Sequence, residues 1–496
     1  MPHDVEKSEY RMTMDPSEKD ALLYMPNAGP SLPEQLAGDA RGLAHLERRD
    51  FSAGETGFAG LLRFDHRSPV AIGHITSVVV KLGKNTTMLM RGSRREFLAS
   101  AVAVAAGNAL SAQRWPILAY AGTYSAPVGA EGAPGRGQGI YLLEMNPDTG
   151  ALIERAVFKN STNPSCLALN ISGTHLYSAN ETSTYEGAAS GSVSAYEIER
   201  PSGRLKLMNT VASEGAGPCH LSLHQSGKWA FVANYHGGTS AVLPVGANGE
   251  LGRATDVKRH EGVLGPRRAA SAPPGSFAWS GHDRTHSHMI QPDPSGRFVL
   301  AADLGLDRIL VWKFDAVAGT LMPNDPPSIA FAPGDGPRHF VFHPNGRLLY
   351  SLQEEGSTLV TCDYDGATGR LTAKQTISSL PPGFAGTNFT SEVAVSPDAR
   401  FVYAANRLHD TIAWFAIAAD GTLRFIGEEP TRGDYPRFFT FDPSGGFVYS
   451  CNQRGDAIAC FRVNRKSGAL THTGQYTPIG TPSFLVFLIL RSDRGA

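Results

Sequence analysis

The residues of this sequence best suited to chemistry return at one place in a repeating pattern. His220, His286 with His288, Arg338 with His339, Glu392 and Arg437 stand at or just before the start of short runs of alternating apolar residues. A run that only had to pack would begin on Val, Ile or Ser, as those at Ser165 and Ser483 nearly do. A second polar set closes the runs that follow: Asn180-Glu181, Asn234-Tyr235, Asp303, Glu354, Asn406-Arg407 and Asn452-Gln453. The imidazoles of His220, His286 and His288 beside the carboxylates of Asp303, Glu354 and Glu392 are suited to general acid/base work near neutral pH. Arg338, Arg407 and Arg437 facing one pocket would repel one another unless an anion sat among them, and guanidinium forks suit carboxylate or phosphate. An anionic ligand is therefore expected. The alternating pair His286 and His288 would point to one face of a strand and could chelate a metal, but no clear carboxylate or cysteine third ligand stands nearby in sequence. Neither a metal nor any other cofactor is expected.

The elements that must bring these residues together are read most clearly between Gly336 and Tyr364, GPRHFVFHPNGRLLYSLQEEGSTLVTCDY. This stretch predicts three short strands, over Phe340–His343, Leu348–Leu352 and Thr358–Tyr364, separated by a Pro-Asn-Gly turn and a polar loop. Other units start at Ser165, Cys219, Ser287, Glu392 and Arg437, each continuing through a Gly- or Ala-containing turn, a second and third strand, a DxxTG-like turn and a fourth strand. Four strands in each repeat of about 45 to 70 residues predict the blades of a β-propeller. A last inner strand at Ser483–Phe487 lacks the rest of its blade, while Leu118–Thr123 and Gly139–Met145 lack an inner strand. Pairing the two ends gives a seven-bladed, all-β propeller closed by strands from both termini, with no open edge. In such a ring the first strand of each blade lines the central channel, so positions remote in sequence gather at its mouth. The segment Lys258–Arg284, rich in Pro, Ser, Arg and Gly, is expected as a loop over that mouth, either a lid or a mobile excursion.

Composition excludes some functions. Lys and Arg (45) balance Asp and Glu (46), and no basic stripe interleaves with aromatics, so no nucleic-acid partner is expected. Cys166, Cys219, Cys362, Cys451 and Cys460 show no metal-type spacing and are expected as buried free thiols. Residues 1–92 are polar and irregular and are expected to form a poorly structured leader. Residues 93–112 begin with Ser93-Arg94-Arg95-Glu96-Phe97-Leu98, continue through an apolar run and end in small residues; this layout resembles a twin-arginine export signal. The apolar run is too short and Ala-rich for a stable membrane anchor. Met88 or Met90 would then be a conventional start, with the upstream residues an over-extended reading frame. The expected organisation is leader (1–92), export signal (93–112), propeller (113–490) and tail (491–496), with a periplasmic or secreted location and the cytoplasm as the alternative.

The motifs GPCHLSLHQSGKWAFVANY, HSHMIQPDPSGRFVLAADLGLDRI, GPRHFVFHPNGRLLYSLQE, SEVAVSPDARFVYAANR and YPRFFTFDPSGGFVYSCNQ resemble, in order, the blade motifs of the lactonase family of seven-bladed propellers. That family includes propeller-type 6-phosphogluconolactonases and carboxymuconate lactonizing (cyclase) enzymes. The resemblance covers Tyr120 to Phe487 and implies pocket residues at His220, His288, Asp303, Arg338, Glu354, Glu392, Arg407 and Arg437. The run Leu-Gln-Glu-Glu departs from the family's Asn-Glu-Leu and leaves open whether Glu354 or Glu355 faces the channel. The implied activity is hydrolysis of a sugar lactone such as 6-phosphogluconolactone, with His288, Glu392, Arg338 and Glu354 as the catalytic set. His220, His286, Asp303, Arg407, Arg437 and Asn452 would contact a small anionic lactone or sugar acid. A muconate-type lactonizing reaction and a non-catalytic exported propeller that binds a sugar acid or a protein are the alternatives.

Overall fold

The computed structural model describes residues 115–129, 132–278 and 281–490, together with five strand segments nearer the N-terminus. Residues 115–490 fold as seven four-stranded antiparallel sheets arranged as propeller blades. Blades 1 to 6 are residues 164–212, 218–259, 287–330, 337–378, 389–430 and 436–478, each with its strands in sequence order. Blade 7 places Pro482–Ile489 innermost against Ile117–Thr123, followed by Gly139–Met145 and Leu152–Lys159. The expected closure by both termini is thus present, with Leu485 opposite Ala121 and Phe487 opposite Ala119.

Apolar side chains of alternating strands pack between neighbouring blades rather than within one. Tyr350, Leu352 and Leu359 of blade 4 meet Val393, Val402 and Ala404 of blade 5. The closing seam is built alike: Phe447, Tyr449 and Ile458 of blade 6 pack on Ala119, Leu143 and Leu485 of blade 7. Polar ties cross the same seams. Tyr120, Tyr177, Tyr350, Tyr403 and Tyr449 each donate a hydroxyl proton to a glycine carbonyl in the next blade's outer turn: Gly203, Gly249, Gly421, Gly468 and Gly150. Those glycines have φ between +72° and +91°, which a side chain would strain, so the DxxTG-like turns serve as docking points between blades. Cys166, Cys362, Cys451 and Cys460 are buried, Cys219 is half-buried, and all five are unpaired thiols.

The inner strand of most blades carries a bulge at its first turn. Register shifts by one residue between Pro218 and His220, Ser287 and Met289, Pro337 and His339, Pro436 and Phe438, and Pro482 and Phe484. A bulge leaves one residue out of the ladder and re-aims its side chain. The extra residues are Cys219, His288, Arg338, Arg437 and Ser483, so the chemistry-bearing positions coincide with the irregularity.

A separate unit contains residues 1–114. Within it, where the sequence predicts no regular element, Leu22–Tyr24, Leu43–Arg48, Gly60–Asp65, Ser77–Lys81 and Thr87–Arg91 pair as a five-stranded sheet. The β-branched run Ser-Val-Val-Val-Lys illustrates the local preference behind these strands. The export-signal stretch 93–112 and the tail 491–496 lie outside the described residues.

Candidate active site

Two positions in each blade differ in role although they are adjacent in sequence. At the end of the second strand stands Thr123, Asn180, Asn234, Asp303, Gln353, Asn406 or Asn452, the last paired residue except in the fifth blade, where Arg407 also pairs with Phe389, and each is almost wholly buried. These side chains tie local backbone: Asn234, Asn406 and Asn452 donate their amide protons to the carbonyls of Ser213, Ser379 and Thr431 at 2.7, 3.0 and 2.9 Å. Asp303 accepts the backbone N–H groups of His286 and Leu306 at 3.0 Å each and is paired with His260 at 2.7 Å. Asn452 and Asp303 thus spend these polar atoms on backbone and on His260, one residue short of the mouth at which substrate contacts were expected of them. Backbone groups near the channel end must be satisfied, and these side chains satisfy them. The residue one place further on, Tyr124, Glu181, Tyr235, Leu304, Glu354, Arg407 or Gln453, forms the ring of side chains at the mouth.

Glu354 is the centre of one half of that ring. Its Oε2 lies 2.9 Å from Arg338 Nε and 2.6 Å from Arg407 Nη2, the first contact being too bent for a hydrogen bond. Arg338 also donates through Nη1 to the Ser391 carbonyl, and Arg407 donates to the Thr390 carbonyl at 2.7 Å. Burial and the neighbouring Arg407 charge push the Arg338 guanidinium down to about 10, against the pull of Glu354. It remains cationic at neutral pH. Glu355 turns the other way, its Oε1 accepting Gly281 N–H at 3.3 Å, so Glu354 is the carboxylate in the mouth.

Next to the arginines stands a buried carboxyl–imidazole pair. His339 Nδ1 lies 3.0 Å from Glu392 Oε2, while Glu392 Oε1 accepts Val393 N–H at 2.9 Å. Burial pushes the Glu392 carboxyl up to about 7, opposed by that backbone bond and by Arg338 and His220. His339 packs edge-on between His220 and His288, with ring centroids 5.5 and 5.0 Å away. Burial pushes His220 down to about 3, helped by His339. Burial and the Arg338 charge hold His288 and His339 well below the usual imidazole range. All three are neutral near pH 7. His288 Nδ1 and His339 Nε2 are buried with no hydrogen-bond partner, so two acceptor-capable nitrogens remain unspent beside Glu392.

On the other side Arg437 lies over the Tyr124 ring at 5.1 Å and 3.8 Å from Glu181 Oε1. Its field still reaches Arg338, His288 and His339. His286 does not join the constellation as expected. Its Nδ1 bonds the Tyr235 carbonyl at 3.0 Å, its Nε2 bonds Asp283 at 2.9 Å, and the ring stacks on Tyr235 with centroids 4.2 Å apart. With both nitrogens occupied it cannot chelate alongside His288. It instead anchors the insert.

The described residues of the insert are tied to the blades at several points. His282 bonds Asp307 at 2.9 Å, Gly265 N–H reaches the Gly305 carbonyl at 3.0 Å, and Ser271 donates to Asp335. Phe277 N–H reaches Thr387 Oγ1 at 3.0 Å, and Gly386 N–H the Pro274 carbonyl at 2.8 Å. These bonds make a wall spanning blades 3 to 5.

Of the ten residues singled out in the sequence, His220, His288, Arg338, Glu354, Glu392, Arg407 and Arg437 occupy this mouth. His339, named in the sequence beside Arg338 but left out of the expected site residues, stands at the position that His220 and Glu392 hold in their own blades. Glu181, named in the second polar set, was likewise left out of the expected site residues, and Tyr124 was not singled out, although both are counterparts of Glu354. The arrangement offers fixed cationic donors, neutral imidazoles and one carboxyl that titrates near neutrality, which suits attack of water on a carbonyl whose oxygen gains charge.

Residues 118–487 match the family model described as Lactonase, 7-bladed beta-propeller. A Bacillus subtilis 6-phosphogluconolactonase is 32% identical over 372 residues, 75% of this chain and 98% of that protein. A Formosa agariphila 6-phosphogluconolactonase is 29% identical over 354 residues, 70% of this chain and 95% of that one. Among solved structures, the periplasmic gluconolactonase of Pseudomonas aeruginosa superposes with a TM-score of 0.66 at 30% identity, covering 76% of this chain and 99% of that one.

Proposed function

Because this chain belongs to the lactonase family of seven-bladed β-propellers, we propose that it opens the ring of a sugar lactone by hydrolysis at the mouth built around Glu354 and Glu392. The protein is a lactone hydrolase, and it resembles relatives named for 6-phosphogluconolactone and for gluconolactone. The observation that carries the assignment to this mouth is the Glu392–His339 pair beside Arg338.

In this reading Glu392 is the general base. Its two oxygens are held by Val393 N–H and His339 Nδ1–H, and a remaining lone pair takes a proton from water. The hydroxyl oxygen bonds to the lactone carbonyl carbon, and the carbonyl oxygen gains negative charge beside the Arg338 guanidinium. Collapse breaks the bond to the ring oxygen, which receives the proton from Glu392. The products are the open hydroxy acid and the unaltered protein. Glu354 orients both arginines, so the cationic donors are in place before charge develops and need no reorganisation. His288 and His220 remain neutral and serve as hydrogen-bonding walls. Lactones are reactive esters, so positioning and one base suffice.

Three guanidiniums at the mouth, Arg338, Arg407 and Arg437, face Glu354, Glu181 and the base Glu392, which leaves no surplus of positive charge for a phosphate dianion when Glu392 is ionised. That balance, the export-signal-like residues 93–112 and the likeness to a periplasmic gluconolactonase support an unphosphorylated gluconolactone handled outside the cytoplasm. Initial rates on glucono-δ-lactone and 6-phosphogluconolactone, with fractionation of cells producing the full chain, test this. The expected outcome is a higher kcat/KM for the unphosphorylated lactone and a shortened periplasmic product. Preference for the phosphate with all protein in the cytoplasm would reverse the substrate and location.

A further inference from the structure

The side of the mouth opposite the Arg338–Glu354–Arg407 cluster has no role in the ring-opening step, yet it is equally well built. Glu181 of blade 1 is held by three blades. Its Oε2 accepts the Ser165 hydroxyl at 2.6 Å and the Tyr124 hydroxyl of blade 7 at 2.9 Å. Its Oε1 faces Arg437 of blade 6 at 3.8 Å, too long for a hydrogen bond, and accepts none among the described residues. The Glu181 and Arg437 side chains are 9% and 11% exposed, so both are nearly dry, and Tyr124 is 1% exposed.

The other acidic groups at the mouth are held differently: Glu392 has both oxygens bonded, to His339 and Val393, and Glu354 meets two arginines through Oε2. Glu181 combines one oxygen fixed by two hydroxyl donors with a second that faces Arg437 and holds no hydrogen bond among the described residues. Glu181 and Glu354 occupy equivalent positions three blades apart in a ring of seven, which places them on opposite sides of the channel. A ring-sized substrate with its carbonyl at Arg338 and Glu392 would extend its far carbons toward Glu181. A carboxylate there repels a second acid group and accepts from alcohols.

We propose that Glu181, oriented by Tyr124 and Ser165, is a specificity residue that accepts hydrogen bonds from the sugar hydroxyls of the substrate through Oε1. The reading rests on the sugar-lactone assignment above and adds which end of the substrate meets which side of the mouth. A lactone with hydroxyls is bound by both sides. One without them is held by the arginine side only, and a dicarboxylate meets a like charge.

The test compares glucono-δ-lactone with δ-valerolactone, the same ring size without hydroxyls, for wild type, Glu181→Gln and Tyr124→Phe. A hydrogen bond to a charged partner corresponds to a loss of roughly ten- to a hundred-fold when the charge is removed. Glu181→Gln should therefore lower kcat/KM on gluconolactone by that factor, chiefly through KM, with δ-valerolactone almost unchanged. Tyr124→Phe should give a smaller loss with the same selectivity. If both lactones lose equally, Glu181 acts only as a structural partner of Arg437, and the proposal is overturned. Loss on neither overturns it too. If wild type opens neither lactone, the hydrolase reading fails, and titration with gluconate decides the subsite: an unchanged Kd in Glu181→Gln overturns it, and a weakened Kd sustains it.

Discussion

His339 and Glu392 sit on neighbouring blades, and one hydrogen bond of 3.0 Å, Nδ1 to Oε2, joins them inside the mouth of the propeller. The bond fixes a buried carboxyl that burial has pushed up to about 7, while the imidazole is held neutral by burial and the Arg338 charge. A carboxyl that changes charge within the working pH range beside an uncharged imidazole gives a base that can both take and return a proton.

The pH profile follows. As the base must be ionised, kcat/KM for lactone opening rises with pH through about 7 and levels above it. Glu392→Gln lowers kcat/KM by roughly 10²- to 10⁴-fold and abolishes that limb. Initial rates from pH 5.5 to 8 measure both.

The same group makes a stability prediction of opposite sense. The folded carboxyl holds its proton more tightly than the unfolded one, about 7 against 4.5, so folding binds protons between those values and stability falls as pH rises through them. Above pH 7 the ionised, buried group costs about 3 kcal/mol. Glu392→Gln should therefore unfold at higher urea than wild type at pH 8, with the difference vanishing near pH 4.

Glu354→Gln leaves two buried guanidiniums without their shared carboxylate. Removing one partner of a buried ion cluster costs about 3 to 5 kcal/mol. Urea midpoints should fall accordingly, and Arg407→Met in the same chain should restore part of the loss, because it removes one of the two stranded charges.

Asn452→Ala tests the division between the two adjacent rings. It loses the bond to the Thr431 carbonyl and leaves that group buried, costing about 1 to 3 kcal/mol. Lactone kcat/KM of the folded protein should stay within a factor of about two, since the side chain only ties backbone. A selective loss of activity without a loss of stability would return Asn452 to the substrate site.

Asp307 clamps the insert through His282 and also accepts Gly334 and Gly336 N–H at 2.7 and 2.9 Å. Asp307→Ala should free the segment around Arg267 and Arg268 for trypsin at a protein concentration and temperature where wild type is intact. Cleavage sites read by mass spectrometry check that the opening is local.

The propeller and its closure were legible because each blade repeats one alternating pattern, and the two ends supplied the missing halves of a single blade. Register was not. Asp303 and Asn452 were placed in the mouth because a polar residue at a strand end looks alike whether it faces the channel or ties the loop behind it. The mouth begins one residue later, at Glu354, Arg407 and Glu181. His339, named beside Arg338 in the polar set, was left out of the expected site for a related reason: a bulge lets both Arg338 and its neighbour address the mouth, and alternation alone assigns the neighbour to packing. Aligning His339 with His220 and Glu392 would have placed it among the site residues. His286 misled because its partners, Asp283 and the Tyr235 carbonyl, come from a loop and another blade.

The most direct measurement is proton release during opening of glucono-δ-lactone at constant pH 7.5, with wild type, Arg338→Ala and Glu392→Gln compared at equal folded concentration. The account predicts ring opening well above the spontaneous rate for wild type and near-background rates for both variants. Wild type no faster than background while gluconate still raises its Tm would contradict it, and would make this propeller a binding protein.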